Sequence, residues 1–234
     1  MRGASSTSTK SKICVVMPVT QLDLATALMK DMDTNTVRPW KAVILDDSDN
    51  GFDPPPVSFE VEYVRNKKWC GVNPLWSKGV LMADGADYVT VINDDMTIHD
   101  LFFEMMLRGM DWSKKAAVVC PQLSTSIREV SGSRNGIEVA WMSKREGGAF
   151  TFRKEVLDRI PPIPEELAVF FGDDWYFAWT QKWQLGWLKI MNSQIFHHGG
   201  KGVRQRDLRK RLTAERIAFS RLAAQNGLKV WWRP

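Results

Sequence analysis

The sequence predicts an α/β fold: a mostly parallel sheet with helices covering both faces. Three observations lead there. Short, unbroken apolar runs recur at residues 13–17, 42–45, 88–92 and 116–119, the signature of strands buried on both faces rather than half-exposed ones, which alternate. Segments of helical periodicity lie between the runs. Two of the runs end abruptly in paired aspartates, Asp46-Asp47 and Asp94-Asp95. That places acids at the carboxyl edge of the sheet, where proteins of this class bind ligands.

Taken in order, Ile-Cys-Val-Val-Met at 13–17 reads as the first strand, stopped near Pro18. Leu24, Leu28 and Met32 share one helical face. Residues 42–45 form a second strand that runs into the polar turn Asp46-Asp47-Ser48-Asp49-Asn50-Gly51, and Pro54-Pro55-Pro56 makes a stiff loop. A strand at 61–64, a helix at 74–84, a strand at 88–92, a helix at 100–110 and a strand at 116–119 follow. In the less regular second half, 127–142 reads as a hairpin around Ser131-Gly132-Ser133-Arg134-Asn135-Gly136. A strand at 149–152 precedes a short helix at 153–160, halted by Pro161-Pro162. Then come a Trp-rich helix from about 175 to 185, a strand at 187–191 and a last helix near 205–225. In that last helix Leu208, Leu212, Phe219, Leu222 and Ala223 fall on one side, while Glu215 and Ile217 depart from the pattern.

Composition narrows the class. The chain has 234 residues, 44% hydrophobic and 25% charged, enough for one core and incompatible with wholesale disorder. No run approaches the ~20 apolar residues of a membrane helix. Residues 1–12 are small, polar and basic, which predicts a flexible tail rather than a secretory signal. Cys14, Cys70 and Cys120 are few and scattered, so a reducing cytoplasm is expected. Charge is uneven. Residues 201–234 hold ten Lys and Arg against two acids, a net of +8, whereas residues 1–200 hold 22 against 25 and are slightly acidic. A basic helical extension at 201–234 suits an anionic partner or is simply a solvated face.

Four short constellations bear on chemistry, and each has a plain structural reading beside the functional one. Asp94-Asp95 either caps the next element or presents oxygens to a hard divalent cation, which also bridges phosphates. Asp46-Asp47-Ser48 is either an ordinary turn or a carboxylate facing a nucleobase or ribose. Asp173-Asp174 opens a helix, either as a favourable dipole partner or as a general base tuned by a neighbouring acid. His197-His198 is either structural or supplies an imidazole to a metal.

Their order and spacing resemble the inverting family 2 glycosyltransferases, over about residues 13–200. Residues 13–18 resemble the first strand of that family, and Leu45-Asp46-Asp47-Ser48-Asp49 its Asp-Asp-Gly-Ser turn. The stretch from Arg65-Asn66 through Gly71-Val72-Asn73 to Ser77-Lys78-Gly79 resembles its asparagine-to-glycine helix start, and Ile92-Asn93-Asp94-Asp95 its DxD motif. Gly147-Gly148-Ala149-Phe150, with Arg153, resembles the acceptor-side glycine strand. Phe171-Gly172-Asp173-Asp174 resembles the Glu-Asp pair, and His197-His198-Gly199-Gly200 the closing histidine. The resemblance implies a GT-A (nucleotide-diphospho-sugar transferase) fold and a nucleotide-sugar co-substrate with Mn²⁺ or Mg²⁺. It implies donor binding by Pro18, Thr20, Asp46, Asp47, Asn73, Asp94 and Gly148, and metal ligation by Asp95, Asp94 and His197 or His198. Asp174, with Asp173 beside it, is the implied base, and Trp69 and Trp175 are candidates for stacking. Departures are Trp76 near the family's usual Arg, Asp173 in place of Glu, and no Gln-x-x-Arg-Trp motif, which favours single addition over processive synthesis.

For the acceptor, the basic extension points to a hydroxylated base in DNA, of the kind some phages modify. A lipid-linked or surface glycan and a protein hydroxyl are the alternatives. The competing class is a non-enzymatic nucleic-acid-binding α/β protein, in which the aspartate pairs are caps and turns.

Overall fold

The protein is described by a computed structural model covering residues 11–143, 147–199 and 205–230. Residues 1–10 of the expected tail, together with Gly200, Lys201, Arg204 and Arg233, lie outside the described residues, as do the side chains of Arg206, Asp207 and Leu208.

The first apolar run forms β1 (Ile13–Val19), buried along its whole length. It pairs in parallel with β2 (Lys41–Asp46) on one side and β4 (Tyr88–Ile92) on the other, and β3 (Glu60–Arg65) continues in parallel beyond β2. β8 (Ala149–Arg153) then enters antiparallel between β4 and β6 (Ala116–Ser124), and β6 pairs in parallel with β9 (Gly186–His197). The short β5 (Met96–Thr97) and β7 (Val139–Trp141) lie antiparallel to β9. Among the described residues these make one nine-stranded sheet, ordered β3-β2-β1-β4-β8-β6-β9-β5. All strands but β5, β7 and β8 run one way, so the mostly parallel expectation holds with antiparallel intrusions.

Helices cover both faces. α1 (Leu22–Thr34) and α3 (Phe102–Trp112) pack over Ile13, Val15, Met17, Ala42 and Ile44. On the other face α2 (Val72–Leu81), α5 (Gly172–Lys182) and α6 (Gln205–Gln225) pack over Cys14, Val16, Val43, Leu45, Val89 and Val91. Alternate residues of each central strand thus feed two cores, which is why those strands read as unbroken apolar runs. The short α4 (Lys154–Leu157) follows β8 directly.

Two expectations need correction. Residues 127–142 are not a hairpin. A 3₁₀ turn at Ile127–Glu129 leads to a bridge from Ser131 to Gln194, and β7 pairs with β9, so both ends of the segment bond to the same distant strand. The last sheet strand is longer than 187–191. It continues to His197 through an irregularity opposite Pro121–Gln122, beyond which Gln122 faces Gln194. The polar Asn192 and Ser193 lie in that irregularity, with Gln194 directly after it, and hide the strand from a hydrophobic pattern.

Candidate active site

The carboxyl ends of β1, β2, β4 and β9, the start of β8 and the first turns of α2 and α5 enclose a cavity of about 620 Å³. Its walls include Pro18, Thr20, Asp47, Asn73, Asp94, Asp95, Gly148, Asp173, Asp174 and His197. Acids from three distant stretches of chain therefore meet in one concavity.

Asp46 and Asp47 part company at the end of β2. Asp46 is fully buried and its carboxylate is consumed internally. It accepts from Ser48 N (2.9 Å), Ser48 Oγ (2.6 Å), Phe52 N (2.7 Å) and the Tyr63 hydroxyl (2.6 Å). Burial pushes its pKa up, but those donors more than offset it and hold the carboxyl below its usual value. The donor-binding role assigned to Asp46 is thus corrected: it builds the turn. Asp47 faces the cavity, with long contacts from Cys70 N at 3.3 Å and Asn66 Nδ2 at 3.5 Å and a backbone contact from Gly71. Burial raises its pKa.

Asp94 and Asp95 also divide the work. Asp94 Oδ2 accepts from Thr20 N and Gln21 N, both at 2.6 Å, and from Thr20 Oγ1 at 3.3 Å. That oxygen ties β4 to the start of α1 and is not available as a metal ligand. Burial, with the charge of Asp95 adding to it, raises the Asp94 pKa against the pull of those amides. Asp95 points into the cavity. Its Oδ2 lies 2.9 Å from His197 Nε2, and among the described residues its buried Oδ1 has no hydrogen-bond partner, nor has the buried Oδ1 of the adjacent Asn93. The hydrogen bond to Asp95 raises the His197 pKa, with burial opposing. His198 is exposed, bonds Thr97 Oγ1 at 2.8 Å and does not line the cavity, so it is removed from the candidate metal ligands.

The donor set at Asp95 and His197 fits a hard divalent cation that draws its remaining ligands from phosphate and water. An inward-facing buried carboxylate oxygen without a partner is what such an ion would satisfy. Among the described residues no cluster of three or more His, Cys, Asp or Glu forms a candidate metal shell. Any such ion would therefore depend on a co-bound phosphate.

Asp174 is buried on the first turn of α5, and Asp173 sits beside Gly147, whose missing Cβ would lie 3.2 Å from Asp173 Oδ2. Asn73 borders the cavity, and its amide nitrogen is committed: Nδ2 donates to Leu167 O at 2.7 Å and Phe170 O at 2.9 Å, while its buried Oδ1 has no hydrogen-bond partner among the described residues. That nitrogen clamps the 167–170 loop. The Gly148 carbonyl accepts from Asn93 N at 2.8 Å, fixing the turn after β4. The two stacking candidates separate cleanly. Trp175 is in the core, its indole donating to Pro161 O, whereas Trp69 is 44% exposed and lines the cavity mouth. Sequence reasoning missed Gln21, Asn93 and Leu212 as lining residues. Only Asn93, directly beside the acidic pair, carried a signal.

No protein-family model matches the chain, and no curated protein matches it by sequence. The architecture is a GT-A-like glycosyltransferase fold. Among solved structures it is similar to the crystal structure of GalNAc-T7 with UDP, GalNAc and Mn²⁺, at a TM-score of 0.60 and 12% sequence identity. The likeness covers 82% of this chain and 45% of that one, so the chain spans less than half the length of that neighbour. Among the described residues, no helix is long and apolar enough to cross a membrane.

Proposed function

We propose that this chain is a metal-dependent glycosyltransferase that moves one sugar from a nucleotide-sugar donor to an acceptor hydroxyl with inversion. The observation that carries the reading is the meeting of Asp47, Asp95 and Asp174 in one cavity at the carboxyl edge of the sheet. A caps-and-turns protein would need no such convergence; it accounts for Asp46 and for Asp94 Oδ2 but leaves Asp95 Oδ1 unexplained.

Asp47, with Pro18 and Thr20 near it, accepts hydrogen bonds from the donor's base or ribose. Asp95 and His197 would hold Mn²⁺ or Mg²⁺, which when bound would offset the charge of the diphosphate. Asp174 takes the proton of the acceptor hydroxyl as the oxygen attacks the anomeric carbon. The bond from that carbon to the diphosphate oxygen breaks, and the electron pair leaves with the diphosphate.

The acceptor we propose is a hydroxylated base in DNA. Exposed Arg209, Lys210 and Arg216 lie on α6, whose Leu212 lines the cavity, and exposed Lys67 and Lys68 flank Trp69 at the mouth. Cations around an aromatic at a site entrance suit a phosphate backbone and an extruded base. Cys14, Cys70 and Cys120 are free thiols, which supports a reducing, cytoplasmic setting.

The test is mass spectrometry of products after incubation with a panel of nucleotide-sugars, Mn²⁺ and three acceptors: hydroxymethylated duplex, glycan and peptide. Transfer to the duplex is expected, with Asp174→Asn retaining donor binding and losing transfer. Transfer to glycan or peptide alone would reject the DNA acceptor, and substantial transfer by Asp174→Asn would reject its role as base.

A further inference from the structure

The loop 167–171 leads directly into Gly172-Asp173-Asp174, so its conformation sets where the proposed base points. Two flanks of the protein hold it. From α2, Asn73 Nδ2 donates to the carbonyls of Leu167 and Phe170, and Asn73 N donates to Ala168 O at 3.1 Å. Close approach there demands glycine. A Cβ at Gly71 would fall 2.3 Å from Ala168 O, and one at Gly172 would fall 2.2 Å from Asn73 Oδ1. From the opposite side, Glu215 of α6 takes the loop's amides. Its Oε2 accepts from Phe170 N at 2.7 Å and Val169 N at 3.1 Å, with Oε1 3.3 Å from Val169 N. The backbone carbonyls are thus served by α2 and the amides by α6.

Glu215 is only 3% exposed, on the face of α6 that also carries Phe219 and Ala223. A carboxylate buried on an apolar stripe costs stability unless its donors repay it. Here the repayment comes from the loop. The turn it holds is strained: Phe171 adopts the left-handed region (φ 63°, ψ 13°), unusual for an aromatic residue, and its ring stacks on Phe219 at 5.6 Å. Such a conformation persists only when its surroundings over-determine it. Arg211 joins the assembly. Its guanidinium lies 3.5 Å from Glu215 Oε1 and 5.0 Å from the centre of the Trp69 ring at the cavity mouth.

We infer that Glu215 is a positioning residue: by holding the amides of Val169 and Phe170 it fixes the strained turn that aims Asp174 into the cavity. The basic helix therefore has a second task besides meeting an anionic acceptor. This inference rests on the function proposed above for the role of Asp174, but the coupling from Glu215 to the turn can be measured without it.

The experiment compares wild type with Glu215→Ala and Glu215→Gln, each assayed well below its melting temperature. Glu215→Ala is expected to lower kcat by about 10- to 100-fold, the scale of a small misplacement of a reacting group, with nucleotide affinity within twofold of wild type. Glu215→Gln, which retains one acceptor oxygen, recovers part of that loss. Hydrogen exchange of full-length protein is the second readout: the Val169 and Phe170 amides and the first turn of α5 exchange faster in Glu215→Ala, while β1 and β4 do not. Should Glu215→Ala fail to fold, Glu215→Gln carries both measurements. Unchanged kcat together with unchanged exchange at 169–175 overturns the inference. Uniformly faster exchange across the sheet also overturns it, since that marks general destabilisation. A wild-type protein without transferase activity refutes the proposed function, and the exchange pattern alone then decides whether Glu215 holds the turn.

Discussion

Adjacent aspartates of the same type have different fates in this protein, set by the donors that close around one member of each pair. Asp46 holds four donors and Asp47 faces the cavity. Asp46→Ala should therefore cost about 2–4 kcal/mol, from buried donors left without an acceptor, and leave any remaining folded protein able to bind nucleotide. Asp47→Asn should do the reverse. Its folded pKa is raised, so its ionised form weakens the folded state above that pKa, and removing the charge leaves stability unchanged or slightly higher while nucleotide binding is lost. Urea unfolding read beside nucleotide titration separates the two; a large stability loss in Asp47→Asn would contradict the division. The aspartate pairs were legible in the sequence because paired acids after apolar runs stand out. Which member faces the cavity was not, because that depends on Tyr63 of β3 and Phe52 of the turn closing around Asp46. Glu215 carried no site signal, and Asn73 was singled out without its hold on the 167–170 loop, since the partners of both are backbone groups distant in the chain.

Elements built of continuous apolar residues were the readable ones: β1, β2, β4, β8 and the core of β6 all lie where the pattern puts them. β9 was half-hidden by its polar irregularity, and nothing local announced that β8 would enter antiparallel between β4 and β6. α6 is the instructive element. Its charges suggested an extension, and its periodicity seemed broken at Glu215 and Ile217. The structure resolves both: Glu215 is buried against the loop, and Ile217 is 67% exposed on the solvent side. Phe219, Ala223 and the following Leu228 belong to the core. Burial of a large apolar side chain is worth about 1.5–3 kcal/mol, so removing everything after Gly200 forfeits about 5 kcal/mol, on the order of a domain's whole stability. The truncated chain is expected to lose cooperative thermal unfolding. A sharp transition within a few degrees of the full-length protein would show α6 to be dispensable to the fold.

Over the whole molecule, His99 knots three elements together. Its Nε2 meets Ser193 Oγ of β9 at 2.9 Å, its Nδ1 accepts from Leu101 N at 3.2 Å, and its carbonyl accepts from Asn35 at the end of α1. Burial lowers its pKa from 6.5 to about 4, against a small opposing effect of Asp100. The unfolded chain therefore takes up a proton that the folded protein refuses. Above pH 6.5 this has no effect; between pH 6.5 and 4 it removes about 3 kcal/mol of stability. His99→Gln should flatten that part of the denaturant-midpoint profile, and an equally steep fall in the variant would assign the loss to other groups. The central claim is that acids distant in the chain converge on one divalent ion and one activated sugar. Its most direct test is the melting temperature of wild type and Asp95→Ala with a panel of nucleoside diphosphates, in Mn²⁺ and in chelator. Wild type should be stabilised by one nucleotide only with Mn²⁺, by about 2.7 kcal/mol at a hundredfold excess over Kd, and Asp95→Ala should lose that response while remaining folded. A wild type indifferent to every nucleotide in Mn²⁺, or an Asp95→Ala protein that responds as wild type does, would contradict it.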